Sequence, residues 1–159
     1  MIPVPGPRTV EIAALELGIP IFSGGATTFR REDLDRGIEP DECYWIQSES
    51  RVRGMKTIDL ASDPPPDLVV EIEISRRLLD REGIFAALGV PELWRYDGEQ
   101  LQTFVLGPDG RYQAVDESRS LPMVPLVQFQ RHLAMRDATD QTSILRAFRD
   151  WLRSHLPTS

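Results

Sequence analysis

The chain has 159 residues, 41% of them hydrophobic and 27% charged, with a formal net charge of −7. This length supports one domain with a sizeable core and excludes two comfortable ones, and an acidic chain grips DNA only if its basic residues gather on one face. A single cysteine, Cys43, excludes an intrachain disulfide, and no apolar run is long enough for a secretory signal or a bilayer span; a cytoplasmic setting with no membrane partner is expected.

Residues 1–8 are proline-rich and expected to be disordered. TVEIAALEL, residues 9–17, predicts a short helix stopped by Gly18. IPIFS reads as a strand, GGATT as a turn and FRREDLDRGIEPDE as a charged loop. CYWIQ, residues 43–47, has the aromatics and isoleucine of a strand. Residues 49–66 are polar and irregular, ending in three prolines that lack amide donors. DLVVEIEIS, residues 67–75, predicts the next strand, and LLDREGIFAAL, residues 78–88, a helix stopped by Gly89. ELWRYDG predicts another strand, and residues 101–117 a hairpin around GPDG. Helices are expected near residues 126–137 and over 142–156. Strands alternating with helices through the middle predict an α/β domain with a central mixed sheet flanked by helices, a β-hairpin and C-terminal helices, all in one unit spanning 1–159.

The strand at 67–75 poses a chemical question. Side chains alternate across a strand with period two. Leu68, Val70, Ile72 and Ile74 share one face, which reads as core; Asp67, Val69, Glu71 and Glu73 share the other. A solvated outer face explains such a pattern in many antiparallel sheets. The flanking strand and helix–strand unit argue instead for a central strand covered on both sides. Two acids this close raise each other's pKa unless a cation neutralises them. Mg²⁺ takes oxygen ligands, often one or two carboxylates with phosphate oxygens. Asp41 precedes the CYWIQ strand, and if the two strands pair, Asp41 and Glu71 converge on one ion while Asp67 anchors the start of its strand.

The blocks GIEPDECYWIQ, DPPPDLVVEIEIS and LGVPELWRYDG, in that order, resemble the Uma-type restriction endonucleases, bacterial proteins of the PD-(D/E)XK nuclease superfamily. The resemblance covers residues 18–133. It implies a restriction-endonuclease-like fold and metal-dependent hydrolysis of DNA phosphodiester bonds, with Asp41 and Glu71 holding Mg²⁺ or Mn²⁺. The lysine two positions after the glutamate in the usual signature is Glu73 here, a candidate further metal ligand. The resemblance implies that a basic residue on the following helix takes over, which is Arg81. Arginine stays charged, so it can hold a phosphate but cannot activate water as lysine can. The family usually carries a longer leader whose first helix contributes a glutamate; Glu11 and Glu16 are the only candidates for that role.

Arg30 and Arg31, and Arg51, Arg53 and Lys56, form the basic clusters, expected in loops flanking the Asp41 strand where phosphates would approach. His132 and His155 have no partner at catalytic spacing, and Trp45, Trp94 and Trp151 read as core or docking residues. Three readings of function follow. The first is a DNA endonuclease, with a homodimer suited to cutting two strands. The second is a decayed nuclease fold serving as an oligomeric or regulatory module, favoured by the missing lysine and the acidic charge. The third is a metal-binding protein acting on RNA or another phosphodiester.

Overall fold

Helix α1 spans Thr9–Leu17 and stops where the sequence predicts, because Gly18 adopts φ 70° and the Ile19 amide turns back to the Ala14 carbonyl at 2.9 Å. It opens a computed structural model that describes residues 8–24, 40–72 and 81–156. Strand β1 is Phe22–Ser23, β2 Glu42–Trp45, β3 Leu68–Ile72, β4 Glu92–Tyr96, β5 Leu101–Leu106 and β6 Tyr112–Val115. Helices α2 (Glu49–Val52) and α3 (Arg81–Ala87) lie between strands. Helices α4 (Leu126–Leu133) and α5 (Gln141–His155) follow the sheet, with a 3-10 turn at Ala134–Asp137 between them. The expected disorder of residues 1–8 falls, from 1 to 7, outside the described residues, as do most of GGATT and the charged loop, and Arg30 and Arg31 with them.

The six strands lie in chain order across one mixed sheet. Neighbours pair antiparallel except β3 and β4, which run parallel. A parallel pair needs a crossover, and the segment carrying α3 supplies it. The expected α/β architecture, with its hairpin and C-terminal helices, is therefore present.

β3 is third of six and buried on both faces. Leu68 and Val70 join Tyr44, Trp94, Phe129, Phe148 and Leu152 in a core beneath α1, α4 and α5. Val69 joins Cys43, Trp45, Val52, Phe85 and Leu93 in a second core beneath α2 and α3. A solvated outer face is thereby excluded. Ile144, Phe148 and Leu152 repeat every four residues along α5 as its buried stripe, and Phe148 and Leu152 join the first core. Each such side chain contributes roughly 1.5–3 kcal/mol through its removal from water. Asp140 caps α5, its carboxylate accepting the Ser143 amide at 2.8 Å.

Several boundaries differ from the expectation. The strand expected over 19–23 is reduced to Phe22–Ser23, the two residues that pair with β2. β2 ends at Trp45 because the next free amides, Ile46 and Ser48, donate to the Asp67 carboxylate at 2.7 and 2.8 Å instead of to a strand. The segment 49–66, expected to be irregular throughout, contains α2, whose Glu49 pairs with Arg53 one turn on. Its prolines are tied down as well: the Trp45 indole N–H donates to the Pro64 carbonyl at 2.9 Å.

Candidate active site

β2 and β3 antiparallel pairing sets Glu42 opposite Val70 and Cys43 opposite Val69. One step further on, Asp41 stands beside Glu71, on the face that carries Cys43 and Val69. Two hydrogen bonds fasten this corner. The Asp41 amide donates to Glu71 Oε2 at 3.3 Å, and the Ile72 amide donates to Asp41 Oδ2 at 2.7 Å. The two acids so meet at the carboxyl end of β3.

Arg81, the first residue of α3, reaches into the same corner. Its Nε donates to Glu71 Oε1 at 2.6 Å, with the arginine side chain 17% exposed and the glutamate 6%. The guanidinium also lies over the Phe85 ring, 5.8 Å from its centroid, one turn along the same helix. Burial pushes the Glu71 carboxyl up to about 7; Arg81 opposes that rise, and the nearby Asp41 charge adds to it. Desolvation, rather than repulsion between neighbouring acids, is the dominant cause.

Of the predicted site residues, the fold brings Asp41, Glu71 and Arg81 together. Glu73 lies outside the described residues. Asp67 anchors its strand as expected: it is buried and accepts from the Ile46 and Ser48 amides and, at 3.1 Å, the Ser48 hydroxyl. Neither candidate glutamate of α1 joins the corner. Glu11 pairs with Arg8 at 3.0 Å near Glu42, on the opposite face of the sheet, and Glu16 pairs with Arg153 at 3.1 Å. Of the basic residues expected in loops flanking the Asp41 strand, Arg51 lies in α2, and Arg53, just after that helix, is engaged by Glu49.

Two charged residues escaped sequence reasoning. Glu92 is completely buried and serves structure: it accepts from the Trp94 indole and the Ser118 hydroxyl, both at 2.7 Å, and from the Ser120 amide at 2.9 Å. Arg95 is different. β3 and β4 pair with Glu71 opposite Arg95, so it occupies the same face at the same level as the acid pair. Its signal was a charge that shares one face of the predicted strand ELWRYDG with Leu93.

A mixed sheet flanked by helices, with two acids and an arginine meeting at the carboxyl end of its third strand, defines an α/β protein with one charged corner at a sheet end. The chain belongs to the family described as "Uma2: Putative restriction endonuclease", whose model matches residues 9–136. Among solved structures it is similar to one described as "a putative nuclease belonging to DUF820" from Anabaena variabilis, at 17% identity and a TM-score of 0.48, over 89% of this chain and 78% of that one. It is also similar to the type IIG restriction endonuclease BpuSI, at 11% identity and a TM-score of 0.44, over 96% of this chain and 17% of that one. No curated protein matches the sequence.

Proposed function

We propose that this chain is an endonuclease that uses Mg²⁺ or Mn²⁺ to hydrolyse phosphodiester bonds in DNA. The observation that carries the reading is the convergence of Asp41, Glu71 and Arg81 on one corner of the sheet. The donor set fits a hard divalent ion. Asp41 and Glu71 offer carboxylate oxygens, and among the described residues no third acid, histidine or cysteine joins them. Mg²⁺ is commonly held in this way, by one or two carboxylates with water and substrate phosphate completing the shell. Glu73 is the candidate for an additional ligand.

When bound, the ion supplies Lewis acidity, neutralising phosphate charge and making water more acidic. The chain does the rest. Glu71 must shed its proton to bind the ion, and the Asp41 amide and Arg81 both favour the ionised form. Arg81 then exchanges part of its contact with Glu71 for the scissile phosphate, where a permanent planar cation stabilises the charge that develops as water attacks phosphorus and a P–O ester bond breaks. Its aromatic support on Phe85 keeps the guanidinium in place during that exchange. Arg81 cannot accept a proton, so it orients and stabilises but does not act as base. Cutting both strands of a duplex suits a homodimer presenting two such corners.

A second reading has its own observation. Both acids are already engaged in holding the fold, Asp41 with the Ile72 amide and Glu71 with Arg81. An inert nuclease fold used as an interaction module would keep them for that reason alone. Incubating duplex DNA with purified protein and Mg²⁺ or Mn²⁺ separates the two. The proposal expects cleavage that Glu71→Ala abolishes while the circular-dichroism spectrum is retained. Cleavage persisting undiminished in Glu71→Ala, from a preparation free of other nucleases, would sink it.

A further inference from the structure

The polar row at the level of Glu71 continues across the sheet. Glu71 stands opposite Arg95, and Arg95 opposite Gln102. In-register partners on neighbouring strands share a face and lie about 4.8 Å apart. Asp41, Glu71, Arg95 and Gln102 thus form one row about 14 Å long across four strands. The row immediately behind it, Cys43, Val69, Leu93 and Phe104, is apolar and belongs to the second core. The polar row borders the apolar floor of that core.

Arg95 is built into this edge much as Arg81 is. Its guanidinium lies over the Phe104 ring, 5.7 Å from the centroid, and donates to the Glu82 carboxylate. Glu82 is the residue after Arg81, so the first two residues of α3 hold one strand each: Arg81 binds Glu71 on β3, and Glu82 binds Arg95 on β4. The Arg95 side chain is 30% exposed, more than that of Arg81. Toward the interior on the same face its strand neighbour is Leu93, which stands opposite Phe104.

We propose that Arg95 is a phosphate-binding residue that grips a backbone phosphate flanking the scissile one, with the exposed Gln102 extending the same track. This rests on the nuclease reading above, which puts the scissile phosphate at Asp41 and Glu71. Arg95 flanks Glu71 on the side away from Asp41. A strand of DNA with one phosphate at the acid pair runs its next phosphates either off β2 or over β4 and β5, and the cation and the amide lie over β4 and β5. Glu82 and Phe104 fix the plane of the guanidinium in advance, which reduces the ordering needed when a phosphate arrives.

The test is fluorescence anisotropy with a short labelled duplex carrying non-hydrolysable phosphorothioate linkages, in Mg²⁺, between about 50 and 200 mM salt. Arg95→Ala is expected to weaken binding about tenfold and to lower the slope of log affinity against log salt by about 0.9, the signature of one lost phosphate contact. Arg95→Lys, which keeps the charge, should retain the parental slope, and Arg111→Ala on the distant hairpin should match the parent. Arg95→Gln, which removes the charge but keeps a polar side chain, carries the test with the same expected loss of slope if the alanine variant does not fold. Parental affinity and slope in Arg95→Ala overturn the Arg95 assignment and leave the nuclease reading standing, as does a slope lost equally in Arg95→Lys. Failure of the parent itself to bind the duplex overturns both.

Discussion

Glu71→Gln should reverse part of the protein's response to pH. The Glu71 carboxyl rises from its ordinary 4.5 to about 7 on folding, chiefly because the side chain is buried. Between those values the folded state holds a proton that the unfolded state has released. Stability therefore falls as pH rises through this window, and the contribution is fully present below the lower value and lost above the upper one. Two and a half pH units at about 1.36 kcal/mol each give roughly 3 kcal/mol. Glutamine stays neutral, so this decline vanishes in the variant. The attraction between the ionised carboxylate and Arg81 is already contained in the folded value of about 7, since Arg81 opposes the rise; exchanging a neutral carboxyl for an amide adds only an offset that does not vary with pH. Urea unfolding of both proteins in metal-free buffer from pH 4.5 to 8 measures the effect. The stability difference, variant minus parent, should grow with pH by about 3 kcal/mol. Parallel profiles, or a difference that shrinks as pH rises, would refute the reasoning, since either means that Arg81 outweighs burial and holds the carboxylate charged.

The remaining predictions concern the two ends of β3. Arg81→Ala should slow single-turnover cleavage by about a hundredfold or more, while Arg81→Lys keeps most of the rate; equal rates in parent and alanine variant would make Arg81 a buttress for Glu71 and nothing else. At the other end, Asp67→Ala strands two backbone amides and a hydroxyl. Denaturant unfolding should show a loss of about 3 kcal/mol, and a loss under 1 kcal/mol would mean that water replaces the carboxylate at no cost.

The central strand was legible because period-two alternation is insensitive to tertiary detail: Leu68 and Val70 announce one face and Asp67 and Glu71 the other. Val69 was the overlooked clue, an apolar residue among the acids that seals against Phe85 and Leu93. The meeting of Asp41 and Glu71 followed from a guess that two strands pair, and it needed only the order of elements. Helix α2 was hidden in a segment read as irregular because its four residues are too few to show a helical period. The early end of β2 depended on a long-range contact, Asp67 to Ile46 and Ser48, that no local pattern encodes. Arg95 and Gln102 were missed because a register across three strands must be known before a row of side chains can be seen.

Calorimetric titration of Mn²⁺ into the parent and Glu71→Gln, with a non-hydrolysable DNA duplex present, tests the central claim most directly. The account predicts saturable binding in the parent that disappears in the variant, because the ion loses one of its two protein carboxylates. Identical titrations, whether both bind or neither does, would contradict a metal site at Asp41 and Glu71 and leave these acids as fastenings of the sheet.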